Sequence, residues 1–119
     1  MVKKLDIEIP KCDYYCLPFT YLVNGEKAKL AEEDLIYFSV KKTVADDDYV
    51  IQKSLEDGIS YNEELEKYFI ELNYEDTAEL DMNSSFLYDL VIYYNGEKPV
   101  QKLIGKFSIK PKITLNEVF

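Results

Sequence analysis

An all-β fold, an antiparallel sandwich of seven or eight short strands, is what this sequence predicts, and three observations predict it. Apolar and polar residues alternate at period two along much of the chain, as they do on half-buried strands. The turn-forming pairs Asn24-Gly25, Asp57-Gly58 and Asn95-Gly96 punctuate that alternation. Tyrosine and phenylalanine, both favoured in strands, number 11 and 6 against 4 glycines and 4 prolines. A small barrel is the second architecture this pattern allows. The 119 residues make one domain, 1–119. A chain of that size buries roughly two-thirds of its unfolded surface, enough for one core.

In chain order, Leu5, Ile7 and Ile9 share one face of a first strand, with Lys4, Asp6 and Glu8 opposite. Tyr15, Leu17, Phe19, Tyr21 and Val23 share a face of the second. Pro18 has no N–H for a ladder, so this strand is an edge or is interrupted there. Residues 28–34 could form a helical turn before a third strand that buries Ile36, Phe38 and Val40. Residues 43–48 form a polar loop, and 49–53 a short strand ended by Asp57-Gly58. Asn62-Glu63-Glu64 marks another turn, and the strand over 66–72 turns Tyr68, Ile70 and Leu72 inward. Residues 74–80 are too short for an independent helix and fit a single turn linking two strands.

The strand over 86–94 is apolar on both faces except at Asp89, which makes it central in its sheet. It pairs across Asn95-Gly96 with a strand over 100–109, and residues 112–115 add a last short one. Ile7, Phe19, Phe38, Val40, Ile51, Ile70, Leu72, Leu90, Ile92, Leu103 and Phe107 form the expected inward set. The tetrapeptide Asn-Gly-Glu-Lys at 24–27 recurs at 95–98, one turn chemistry used twice.

Charge limits the partners. Twenty-three acidic against 14 basic residues give a net charge of −9, with no histidine. Such a field repels phosphate backbones, so nucleic acid is not an expected partner. It also keeps a small domain soluble, and clustered acids would offer a docking face or a nucleic-acid mimic. Asp46-Asp47-Asp48 is the one run of three aspartates. It lacks the alternate spacing and distant glutamate of a calcium loop, so a surface loop is expected. Cys12 and Cys16 have no further cysteine or histidine with which to complete a zinc site. A disulfide between them would close a very short loop, and two reduced thiols are the favoured reading. Without histidine, no Ser-His or Cys-His nucleophile can be assembled, and there is no glycine-rich phosphate loop. The expectations are therefore no enzyme activity, no metal, no cofactor and no small-molecule substrate. The basic start is interrupted by Asp6 and Glu8 before any signal-peptide core develops, and no run approaches a membrane span. The expected site of synthesis is the cytoplasm.

The order Glu75-Asp76-Thr77-Ala78-x-Leu80, Phe86-x-Tyr88-Asp89-Leu90, Asn95-Gly96 and Leu103-Ile104-Gly105-Lys106-Phe107-x-Ile109, ending in Ile113-Thr114, resembles small Ig-like domains of phages and prophages. These occur at the N-terminus of baseplate upper proteins and in related tail proteins. Ile36 to Lys42 and Val50 to Ser54 look like that family's middle strands. The resemblance implies an Ig-like sandwich that docks to other virion subunits or to itself, made in the bacterial cytoplasm and assembled into a virion. The Asp76-Thr77 turn would link two sheets. Phe86 stands where the family pattern favours tyrosine, so any hydroxyl-based corner falls to Tyr88 or is missing.

A cytoplasmic inhibitor acting as a nucleic-acid mimic on a basic host protein is the alternative, with Asp46, Asp47, Asp48, Glu56 and Asp57 as its acidic face. For contacts, Tyr14, Tyr15 and the loop bearing Asp46, Asp47 and Asp48 are the expected partner surface. Tyr14 and Tyr15 would equally serve to cover the end of the core. Tyr37 and Tyr93, which point outward, are further interface candidates.

Overall fold

The computed structural model describes residues 3–10, 14–43, 48–77 and 85–110. Among them lie eleven strands and one helix. In chain order these are β1 (Lys3–Lys4), β2 (Ile7–Pro10), β3 (Tyr15–Phe19), β4 (Leu22–Val23), β5 (Glu26–Lys27), β6 (Leu35–Lys41), β7 (Ile51–Leu55), β8 (Gly58–Asn62), β9 (Lys67–Leu72), α1 (Tyr74–Thr77), β10 (Ser85–Tyr94) and β11 (Lys98–Lys110). The chain is nearly all β, as its sequence predicts.

Nine strands make one curled sheet in the order β1-β11-β10-β6-β7-β8-β9-β3, with β2 also on β11. Its middle is long and antiparallel: β10 pairs with β11 on one side and β6 on the other. β7 meets β8 only at Ser54↔Gly58 and Leu55↔Ile59, in parallel. The chain bends there through Glu56 and Gly58, at φ of 64° and 103°. That thin join lets the β8–β9–β3 end fold over the β6–β10–β11 end, so both line one core. Among the described residues β3 closes the path and pairs only with β9, where Pro18 sits opposite Phe69. The proline-bearing strand is an edge, as expected.

The core follows the period-two rows. Ile36, Phe38 and Val40 of β6, Phe86, Leu90 and Ile92 of β10, and Phe107 and Ile109 of β11 are at most 2% exposed. Each such side chain stabilises the fold by about 1.5–3 kcal/mol through burial. Phe38 lies 5.5 Å from the Tyr88 ring and 6.2 Å from Phe107. Tyr68 stacks on Phe19 at 5.1 Å and tilts against Tyr61 at 4.8 Å. Of the expected inward set, Ile7, Phe19 and Leu103 are only partly buried and pack at the margin of the core.

Three features differ from the sequence reading. The described chain has more strands than seven or eight, because several are fragments of two residues or sit either side of a local break. Residues 28–34 form no helix. Asp34 accepts a hydrogen bond from the Ala31 N–H on Oδ2 at 3.0 Å, and its own N–H donates to the Ala31 carbonyl at 3.1 Å. A short acidic side chain competing for backbone donors in this way favours a turn over a helix. Residues 58–62, left without a strand, form β8, with Ile59 1% exposed. The helical turn expected over 74–80 is present as α1 through Thr77, and residues 78–80 lie outside the described set, as do 112–115.

Candidate functional site

Strands paired in register project facing residues to the same side. On β10 the inward residues Phe86, Tyr88, Leu90 and Ile92 therefore leave Leu87, Asp89, Val91 and Tyr93 on the outer face. Leu87 sits between Lys41 and Lys106, Asp89 between Ser39 and Ile104, Val91 between Tyr37 and Gln101, and Tyr93 between Leu35 and Pro99. These rows form a concave trough of about 890 Å³, which also takes in Lys4, Tyr49 and Gln52. Leu35, Tyr49 and Leu87 within it are 42%, 48% and 38% exposed.

The polar groups of the trough are held by short-range bonds. Gln101 Nε2 donates to Asp89 Oδ2 at 3.2 Å, and Gln52 Nε2 donates to Ser39 Oγ at 3.3 Å. Tyr37 and Tyr93 meet edge to face at 5.7 Å, fixing both rings at low entropic cost. The Lys41 ammonium lies 4.8 Å above the Tyr49 ring. Charged lining residues are Lys4, Lys41 and Lys106 against the single carboxylate Asp89, on a chain of net charge −9. The trough is thus a basic, aromatic and aliphatic surface on an acidic molecule. Its rings and aliphatic side chains are of the kind found in protein contacts.

Elsewhere, Tyr14 is 61% exposed and Tyr15 36%. Tyr15 pairs with Leu72 in the inward row of β3, at the open end of the core, while Tyr14 precedes the strand. Burial first, and Glu71 second, raise the Tyr14 hydroxyl above its ordinary range. Cys16 is half-buried and free, and burial also raises its thiol, keeping it protonated and weakly nucleophilic. Asp48 is exposed in the β6–β7 connection; Asp46, Asp47 and Cys12 lie outside the described residues. Tyr14 and Tyr15 thus stand on a different element from Asp48.

Asp76 and Asp89 both have structural partners. Asp76 Oδ1 lies 3.0 Å from Lys53 Nζ, and its Oδ2 accepts the Asn73 N–H at 2.6 Å. The Tyr88 hydroxyl donates to the Leu5 carbonyl. No group of three potential metal ligands occurs among the described residues. No helix among them is long and apolar enough to cross a membrane.

Tyr37 and Tyr93 were legible as interface candidates from alternation; Leu35, Leu87, Lys4 and Lys106 were not. Their signal was present in β10, which is apolar on both faces. That pattern normally means a strand covered on both sides. Here the second face is only partly covered among the described residues, with Leu87 exposed and Asp89, Val91 and Tyr93 half-buried. Compared with known proteins, the sequence matches no family model and no curated protein.

Proposed function

We propose that this chain is a non-enzymatic interaction module that docks onto protein partners through the outer face of β6, β10 and β11. One observation carries the reading: β10 lines an open trough with exposed Leu87 and half-buried Val91 and Tyr93. Aromatic rings held rigidly beside aliphatic side chains are the usual anchors of protein interfaces. In this reading the two ends of the curled sheet are the layers of an Ig-like sandwich, with the β7–β8 bend and α1 as crossings between them. The resemblance to phage and prophage Ig-like domains makes the partner another tail or baseplate subunit. The competing role, an acidic inhibitor of a basic protein, gains nothing from this face, whose rim is basic.

The test is co-expression with any tail or baseplate subunits found encoded beside the gene. A stable complex should form with one of them, and Tyr37→Ala/Tyr93→Ala should weaken it at least tenfold while thermal unfolding stays cooperative. A folded double variant that binds undiminished would overturn this choice of face.

A further inference from the structure

Among the described residues, the β8–β9 tip is an exposed feature whose charge is opposite to that of the trough. β8 and β9 are joined by a tip of four residues, Glu63, Glu64, Leu65 and Glu66, between Asn62 and Lys67, which pair across the ladder. Asn62 Oδ1 accepts the Leu65 N–H at 2.9 Å, and Glu66 adopts φ 53°, so the tip has a defined shape. Leu65 is 53% exposed at its centre. The tip therefore offers three carboxylates around one aliphatic side chain. The trough offers three lysines, Lys4, Lys41 and Lys106, around Leu87 and Tyr49.

We infer that the trough of one copy receives the β8–β9 tip of a second copy, so that the chain assembles head to tail. This rests on reading the trough as a docking face. The lining runs from β1 to β7 across β11, β10 and β6, four strand spacings of ~4.8 Å each, or roughly 19 Å, which is ample for a hairpin whose two legs lie one spacing apart. Leu65 would meet Leu87, with glutamates facing lysines. A face-to-face dimer of troughs would instead set lysine against lysine. Because tip and trough are different surfaces, the contact is heterologous, and repetition gives a ring or an open filament. Glu63 also pairs with Lys29 at 3.4 Å, but both side chains are largely exposed and leave the tip accessible.

Sedimentation of the full chain tests this. The wild type should associate beyond dimer as concentration rises, and less so as salt screens the pairing. Glu64→Lys/Glu66→Lys at the tip, and separately Lys41→Glu/Lys106→Glu in the trough, should each be monomeric. Mixed, these two variants regain opposite charges at both contacts, wild-type tip in wild-type trough and reversed tip in reversed trough, and should again associate beyond dimer with the two alternating. If a reversal variant fails to unfold cooperatively, the neutral pair Lys41→Gln/Lys106→Gln replaces it, expected to weaken association at least tenfold. A wild type that stays monomeric at millimolar concentration, a folded trough variant that assembles like wild type, or a mixture that does not pair would overturn the inference. If the wild type is monomeric yet still binds a tail subunit through Tyr37 and Tyr93, self-assembly fails and the docking reading stands. If it does neither, both fail.

Discussion

At the scale of single residues, Gly105 shows how tightly the N-terminal strand is laid on the sheet. A Cβ on Gly105 would sit 2.0 Å from the Leu5 carbonyl oxygen, a backbone atom that cannot swing aside. Three bonds hold that carbonyl's segment down. Leu5 N–H donates to Ile104 O at 2.9 Å, Lys106 N–H donates to Asp6 Oδ1 at 3.0 Å, and Tyr88 donates to Leu5 O. Gly105→Ala must push residues 4–6 off β11, and overpacking of this kind costs about 1–3 kcal/mol. Amide hydrogen exchange should quicken at residues 5–9 well before it does in β6 and β10. Unchanged protection there would mean that the strand tolerates the added methyl.

None of this was readable at Gly105 from sequence, where it is one glycine in an apolar run. The burial of Ile36, Phe38 and Val40 was readable because alternation is a property of neighbours along the chain. A close approach between residues 100 positions apart leaves no local pattern. The same reason explains Asp34, whose Oδ1 accepts the Asn95 N–H at 2.9 Å and ties two turns together. It also explains why Lys4, Lys41 and Lys106 could not be seen as one rim. They come together only through the strand order.

At the scale of elements, the repeated Asn-Gly-Glu-Lys stretch separates local from long-range control. Asn24 and Gly25 have φ of 53° and 82°, and Asn95 and Gly96 have 56° and 72°, so both dipeptides turn with the same hand. Val23 faces Glu26, leaving a two-residue loop, whereas Tyr94 faces Lys98, leaving three. The dipeptide sets the turn, and the pairing partners and the Asp34 contact set its length. The helix α1 depends in a similar way on one side chain. Asp76 holds the Asn73 N–H at its start and the Lys53 ammonium of β7, with both charged side chains mostly buried, at 14% and 20% exposure. Removing one partner leaves the other charge poorly solvated and unpaired. Asp76→Ala should destabilise by about 2–3 kcal/mol, whereas Lys53→Met, which keeps the packing over Gly58, should cost less. Equal losses in chemical denaturation would show that the ion pair, and not the bond to Asn73, carries the effect.

At the scale of the whole molecule, tyrosine hydroxyls fasten segments far apart in sequence. Tyr88 holds the N-terminal strand, and Tyr68 accepts the Leu30 N–H at 2.7 Å, anchoring the β5–β6 connection. Tyr21 and Tyr94 share a hydrogen bond of 2.8 Å across 73 positions. Burial foremost, with nearby Asp6 second, pushes the Tyr88 hydroxyl up to about 12. Burial and the Tyr94 hydroxyl push Tyr21 up to about 12 as well. An acid whose folded pKa is raised keeps its proton in the native state after the unfolded chain has lost it. The native state then binds more protons, and stability falls as pH rises. These contributions are complete below about pH 10, the unfolded value, and disappear between there and about 12. For Tyr88, which is 4% exposed, the slope is about 1.4 kcal/mol per pH unit. Tyr21, being more open to solvent, adds a smaller effect of the same sign. Denaturation midpoints of the wild type should therefore drop steeply from pH 10 to 11.5. Tyr21→Phe/Tyr88→Phe, less stable at neutral pH for want of two hydrogen bonds, should show a shallower decline over that interval. Parallel declines in the two proteins would mean that other groups govern the alkaline limit and that these hydroxyls hold the sheet by packing alone.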